Sequence, residues 1–231
     1  MLQSISKKRI YFYLLILLVL SSTFNLNIIS KLKKLNLINN INIVGLNNKE
    51  TAILEKNLEI FKKRNIFFIN KKEIDQRLTK NSFLENYTII KILPSKLLVR
   101  VKKTEFIGST IFEGEKYYIG KNGKLTNISL VEKQFNLPQI FGNFKVNELL
   151  KLHKILNLHN IDIKEIQKYY YFKSNRWDIK NNDDVILKLP SKNIQHALRN
   201  YQSLLRSSKS IDGKLIDLRI KNKIILTDEK K

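Results

Sequence analysis

Residues Ile10–Leu20 are eleven consecutive apolar or aromatic positions, and residues 10–29 as a whole carry no charge. No other feature constrains folding as strongly, because such a run has no polar face to turn toward water. As a helix rising ~1.5 Å per residue, residues 10–29 span ~30 Å, the thickness of a bilayer core. Lys7, Lys8 and Arg9 precede the run, which suits a cytoplasmic N-terminus, although Lys31, Lys33 and Lys34 follow it and dilute the asymmetry. Two readings stand. One is a retained single-span anchor; the other is a cleaved signal peptide with Ser21, Ser22 and Thr23 beside the cut. Either sends residues 30–231 across a membrane. The expected divisions are a cytoplasmic tail (1–9), a transmembrane helix (10–29), a first domain (40–106), a second domain (107–227) and a tail (228–231).

The composition of the body narrows its chemistry. With no Cys there is no disulfide framework, thiolate zinc site or cysteine nucleophile, and three His and one Met leave little for metal ligation. The net charge of +23 comes from 35 Lys and 8 Arg, alongside 33 Ile and 26 Asn. Those three residue types rise together under AT-rich codon usage, and the charge is spread in doublets such as Lys62-Lys63 and Lys71-Lys72. We read it as a solvated surface. Attraction to an acidic partner or to anionic lipid stays physically available.

Between residues 40 and 106, strand and helix signals alternate. Ile41 and Ile43 before Gly45 read as a short strand. Asn47 with Glu50, and Asn70 with Glu73, have capping-box spacing and open two helices. Ile66–Ile69 reads as a short buried strand. Tyr87–Leu93 and Leu97–Lys103 are extended runs joined by Pro94-Ser95-Lys96, with Leu97, Val99 and Val101 on one face. The order β-α-(short β)-α-β-β is the pattern of a POTRA domain, two helices on a three-stranded sheet.

Residues 107–227 read as mainly antiparallel sheet with flanking helices, so the whole chain is α+β. Tyr117-Tyr118-Ile119 before Asn122-Gly123 signals a hairpin, while Leu137-Pro138 and Gly142 bound a loop. Asn147–Leu158 is helical. Ile161–Phe172, Arg176–Lys180 and Val185–Leu189 are strands, with a tight turn at Asn181–Asp184. Ser191 caps a further helix, and Lys214–Thr227 supplies one or two final strands.

Nothing in this pattern is an active site. His153 and His159 are six apart, which does not place two ligands together on a helix. Asp183-Asp184 belong to turn chemistry, and no G-x-S-x-G, H-E-x-x-H or phosphate-loop motif occurs. Trp177 reads as core. The expectation is no catalytic activity, no cofactor, no metal and no small-molecule substrate.

The ordered set of short motifs resembles the FtsQ/DivIB family of bacterial cell-division proteins along nearly the whole chain. It comprises the basic tail and apolar run, Ile43-Val44-Gly45, Asn65–Ile69, Ile92-Leu93-Pro94 with Leu97–Val101, Tyr118-Ile119 with Gly123, Leu137-Pro138 with Gly142, Arg176-Trp177 and Ile216-Asp217-Leu218-Arg219. The chain departs from the family at Lys103, Phe106, Gly120 and Ile220. The resemblance implies a non-enzymatic scaffold of the inner membrane at the division septum, with its body periplasmic, which binds FtsB/FtsL-type proteins by strand addition. It places the accepting edge at Leu215–Ile224, with Leu215, Ile216, Asp217, Leu218, Arg219, Ile220, Arg176 and Trp177 as partner-binding residues. An ion pair of Arg219 with Asp217 is the competing use of that guanidinium. The other reading of the chain is a secreted or anchored basic protein that binds nucleic acid or an acidic cell-wall polymer, with steep salt dependence; the division reading expects no nucleic acid.

Overall fold

The computed structural model describes residues 7–23, 36–207 and 212–228. The apolar run forms helix α1, Lys7–Thr23, 17 residues long. This differs from the expected span of 10–29. The helix starts three residues earlier, because Lys and Arg are good helix formers and extend it, and residues 24–29 lie outside the described residues. Every described side chain from Lys7 to Ser21 is exposed, so the helix is apolar all round its middle rather than along a stripe. Among the described residues no helix is long and apolar enough to cross a membrane.

The rest of the chain divides into two units, 36–80 with 87–101 and 81–86 with 102–228. In the first, strand β1 (Asn40–Val44) leads into helix α2 (Asn48–Leu58). Helix α3 (Lys71–Leu78) and strands β2 (Leu84–Ile92) and β3 (Lys96–Lys103) follow. The sheet order is β1-β3-β2, with β1 and β3 parallel, Ile41 facing Leu97 and Ile43 facing Val99. Those four side chains are buried together with Leu54, Leu58, Ile74 and Leu78 of the helices, as the alternation in β3 requires. Asn47 Oδ1 accepts the N–H of Glu50 at 3.1 Å and starts α2. Asn70 Oδ1 accepts the N–H of Lys72 at 3.0 Å and starts α3, but Glu73 turns to Arg64 at 2.7 Å, so the second capping box is only half made. Gly45 holds φ +105°, and a Cβ there would lie 2.0 Å from the Val101 carbonyl oxygen; only glycine permits that approach.

Ile66–Ile69 is not a strand. Only Asn65 forms an isolated bridge, with Leu37, and Ile66 and Ile69 are buried as loop residues. A four-residue apolar run does not by itself distinguish a strand from an anchored loop.

The second unit is a nine-stranded sheet with the order β12-β11-β10-β9-β8-β7-β4-β5-β6. Its strands are β4 (Phe106–Phe112), β5 (Glu115–Gly120), β6 (Leu125–Asn127), β7 (Gln139–Phe141), β8 (Ile166–Phe172), β9 (Arg176–Asn181), β10 (Ile186–Lys188), β11 (Lys214–Asp217) and β12 (Ile225–Asp228), with helices α4 (Val146–Leu158) and α5 (Ile194–Ser207) between them. Most pairs are antiparallel, but β4–β7, β7–β8 and β10–β11 are parallel. A parallel pair needs a crossover, and α4 and α5 supply the last two. Both helices pack on one face, where Leu149, Leu152, Leu156, Leu198 and Tyr201 join Tyr169, Trp177, Ile179, Leu187 and Ile216 in a single core.

Three local expectations change. The loop between Leu137-Pro138 and Gly142 contains β7, inserted between two longer strands. The strand expected from Ile161 begins at Ile166, after a turn in which Asp162 Oδ1 accepts the Lys164 N–H at 2.8 Å. Ser191 does not cap α5. The helix opens after Asn193, whose φ is +58° and whose carbonyl oxygen accepts the His196 N–H at 3.0 Å.

Candidate partner-binding edge

The end of the nine-stranded sheet is built by residues 214–228. β11 runs parallel to β10, with Leu215 opposite Ile186, Ile216 opposite Leu187 and Asp217 opposite Lys188. The chain then turns back through residues 218–224. Asn222 takes φ +58°, and the Lys223 N–H donates to the Ile220 carbonyl at 3.2 Å. β12 lies antiparallel on β11, with Asp217 opposite Ile225 and Lys214 opposite Asp228.

The expected edge is therefore displaced. Leu215, Ile216 and Asp217 have a strand on each side and cannot accept another. Leu218 is buried, and its N–H donates to the Lys188 carbonyl at 3.0 Å. Ile220 is half exposed but stands in the turn, where it has no ladder position. The edge is β12, all four of whose residues are exposed. Directly opposed residues of an antiparallel pair share a face. Leu226 therefore lies on the helix-covered side with Ile216, and Ile225 and Thr227 lie on the other.

That other face carries a charged row. Lys188 of β10 stands opposite Asp178 of β9 on one side and Asp217 of β11 on the other. Arg219 turns back onto Asp217, its Nε 2.8 Å and 3.0 Å from the two carboxylate oxygens, and its N–H also donates to Asp217 Oδ1 at 3.0 Å. These bonds hold the Asp217 carboxyl below the usual range, chiefly through the Arg219 side chain. Burial instead pushes Asp178 up, against the opposing pull of Arg176. Much of the Arg219 guanidinium is thus spent within the chain.

Trp177 is core. It is buried, with ring centroids 4.7 Å from Tyr171, 5.8 Å from Phe144 and 6.3 Å from Tyr169. Its neighbour Arg176 stacks over Phe172 at 4.0 Å and reaches Asp178 at 3.5 Å. The structure separates these two, placing Trp177 beneath the sheet and Arg176 on the face that bears Asp217 and Arg219. A groove of about 260 Å³ adjoins the turn after β11, lined by Asn193, His196, Ala197, Leu218, Arg219 and Lys221. Among the described residues no group of His, Asp and Glu side chains is placed to hold a metal.

β12 was the edge that pattern reading missed. The signal was Lys221-Asn222-Lys223, because Asn tolerates the left-handed conformation and breaks an otherwise continuous apolar alternation into two strands.

The architecture defines a class: a POTRA-type unit joined to a sheet domain whose final strand, among the described residues, is paired on one side. Known proteins agree. The family described as "Cell division protein FtsQ/DivIB, C-terminal" matches residues 111–219, and "POTRA domain, FtsQ-type" matches residues 36–103. The cell division protein FtsQ of Rickettsia bellii is 26% identical over 192 residues, covering 80% of this chain and 69% of that protein. FtsQ of Rickettsia conorii is 24% identical over the same shares. The cell division protein DivIB of Clostridium botulinum is 32% identical over 111 residues, 48% of this chain and 43% of that protein. The chain belongs to the FtsQ/DivIB family of cell-division proteins.

Proposed function

We propose that this chain is a non-enzymatic scaffold of the division septum, held in the cell membrane by α1 with its body on the periplasmic side. Division proteins of the FtsB/FtsL type dock by adding a strand to β12. The observation that carries this reading is the position of β12 at the end of the sheet order, with all four residues exposed. Its outer N–H and C=O groups offer a ladder that a second chain can complete. Ile225 and half-exposed Ile220 provide apolar contact, and Lys221 and Lys223 of the turn, with the outer part of Arg219, set a basic rim for an acidic segment, whereas Arg176 stands three strands away on β9. The anchor is supported by an uninterrupted apolar run, Ile10–Leu20, exposed around the helix behind Lys7-Lys8-Arg9. The divisions into a tail, a span, a POTRA domain at 40–106 and a sheet domain at 107–227 follow from the same reading.

Capture of FtsB- and FtsL-type proteins by the full chain in detergent tests it, beside Leu226→Pro and Thr227→Pro. Of two neighbouring edge residues, one donates its N–H to β11 and the other outward. One of the two variants should therefore keep its melting temperature and lose capture, and the loss should persist at high salt. Capture undiminished in both variants sinks the strand-addition reading. Binding to polyanions alone, abolished by salt, would favour a basic polymer-binding protein instead.

A further inference from the structure

The segment Lys62-Lys63-Arg64-Asn65-Ile66-Phe67-Phe68-Ile69-Asn70-Lys71-Lys72 holds five cations and no acid around four apolar residues. Ile66 and Ile69 are buried and pin the loop to the first unit, while Phe67 and Phe68 between them are 57% and 60% exposed. The loop is well tied. The Ile66 N–H donates to the Asn36 carbonyl at 3.0 Å, and the Phe67 N–H donates to Asn65 Oδ1 at 2.9 Å. Lys91 Nζ donates to the Ile69 carbonyl at 2.9 Å. The two rings therefore face outward because the backbone is held, and adjacent exposed aromatics on a folded unit mark a contact surface.

The charges around them are unevenly spent. Arg64 is paired with Glu73 at 2.7 Å and Lys62 with Glu59 at 3.9 Å, whereas Lys63, Lys71 and Lys72 make no ion pair among the described residues. The loop also lies where the chain enters the body, against Asn36 and Leu37. Twelve residues, 24–35, separate that point from the end of α1 in sequence, and no chain of that length can reach beyond ~42 Å. An apolar exposed pair flanked in sequence by cations, twelve residues of chain from an apolar helix, matches the headgroup boundary of an anionic bilayer.

We infer that this loop is a peripheral membrane contact, with Phe67 and Phe68 entering the headgroup–acyl boundary and Lys63, Lys71 and Lys72 lying among lipid phosphates. The inference rests on the proposal that α1 resides in the membrane. The chain has no Cys, so Phe68→Cys accepts a single polarity-sensitive dye in the full chain, reconstituted into phosphatidylcholine vesicles with or without about 30% phosphatidylglycerol. Anionic vesicles should shift the emission to the blue and expose the dye to a shallow lipid-borne quencher. The triple variant K63E/K71E/K72E should shift the loop's partition from lipid to water by about a hundredfold or more and so weaken that quenching, and a dye at Ile111→Cys should stay in water. Water-like emission in both lipids, or quenching indifferent to charge reversal, overturns the inference. So does capture of the loop by an added division protein with no lipid response. Alkaline extraction of the same vesicles reports α1 separately: a retained chain with a water-exposed dye removes only the loop contact, whereas an extracted chain removes both.

Discussion

His153 lies in the core on α4 with its ring 5.3 Å from that of Tyr169, and neither His153 Nε2 nor Tyr169 Oη has a hydrogen-bond partner among the described residues. Burial, with a smaller contribution from Lys121, lowers the His153 pKa to about 4. The unfolded chain then binds a proton near pH 6.5 that the folded one refuses. The resulting stability is complete above pH 6.5 and is lost progressively as pH falls toward 4. His153→Leu should flatten that part of the profile, a difference approaching about 3 kcal/mol at its acid end, as followed by urea denaturation at several pH values. An unchanged slope would mean that His153 is solvated. Asp217 runs in the same direction at lower pH. Its carboxyl is held down by Arg219, so its contribution is present above the ordinary carboxylate range and disappears as pH falls through the lowered value. Arg219→Ala should cost about 1 kcal/mol near neutrality, a small value because the pair is partly solvated, with the loss reduced in the Asp217→Asn background.

At the scale of elements, backbone constraints separate the strands that were legible in the sequence from those that were not. The β2–β3 hairpin, the β5–β6 hairpin, α4 and the long strands β8 and β9 announce themselves by period and by turn residues, because local sequence fixes them. β7 has three residues and exists only because β4 and β8 lie on either side of it; no alternation of three residues can reveal that. The terminal edge failed for a different reason. The alternation through Leu215–Ile224 is real, but Asn222 reverses the chain, and tertiary pairing buries the part that read as free. The pairing of Asp217 with Arg219, two residues apart, was legible in the sequence, whereas the row that sets Lys188 between Asp178 and Asp217 depends on register. Gly142 offers a test of one such constraint. It holds φ +102°, and a Cβ there would come within 2.2 Å of the Tyr171 carbonyl oxygen. Gly142→Ala should destabilise the sheet unit by about 2–4 kcal/mol, visible as a lower denaturation midpoint. Near-neutral behaviour would show that the β7–β8 contact yields easily.

For the whole molecule, the apolar helix and the charged body pull toward different surroundings. Replacing Leu15 and Leu18 by Lys introduces two charges into the apolar run, and each costs about 3 kcal/mol at the centre of a spanning helix. The variant should move from the carbonate-resistant membrane fraction to the supernatant; if it stays behind, something other than α1 holds the chain. The order of the sheet has a further consequence. Among the described residues β12 rests on β11 alone, and β11 reaches its parallel place beside β10 only after α5 has crossed the sheet. All other strands precede these two in the chain. Among the described strands the surface that a second protein would read is thus the latest in chain order, and a copy in which α5 has not crossed the sheet has no β11 for β12 to rest on. Recruitment through β12 would carry its own proofreading, admitting to the assembly only molecules whose folding is already complete.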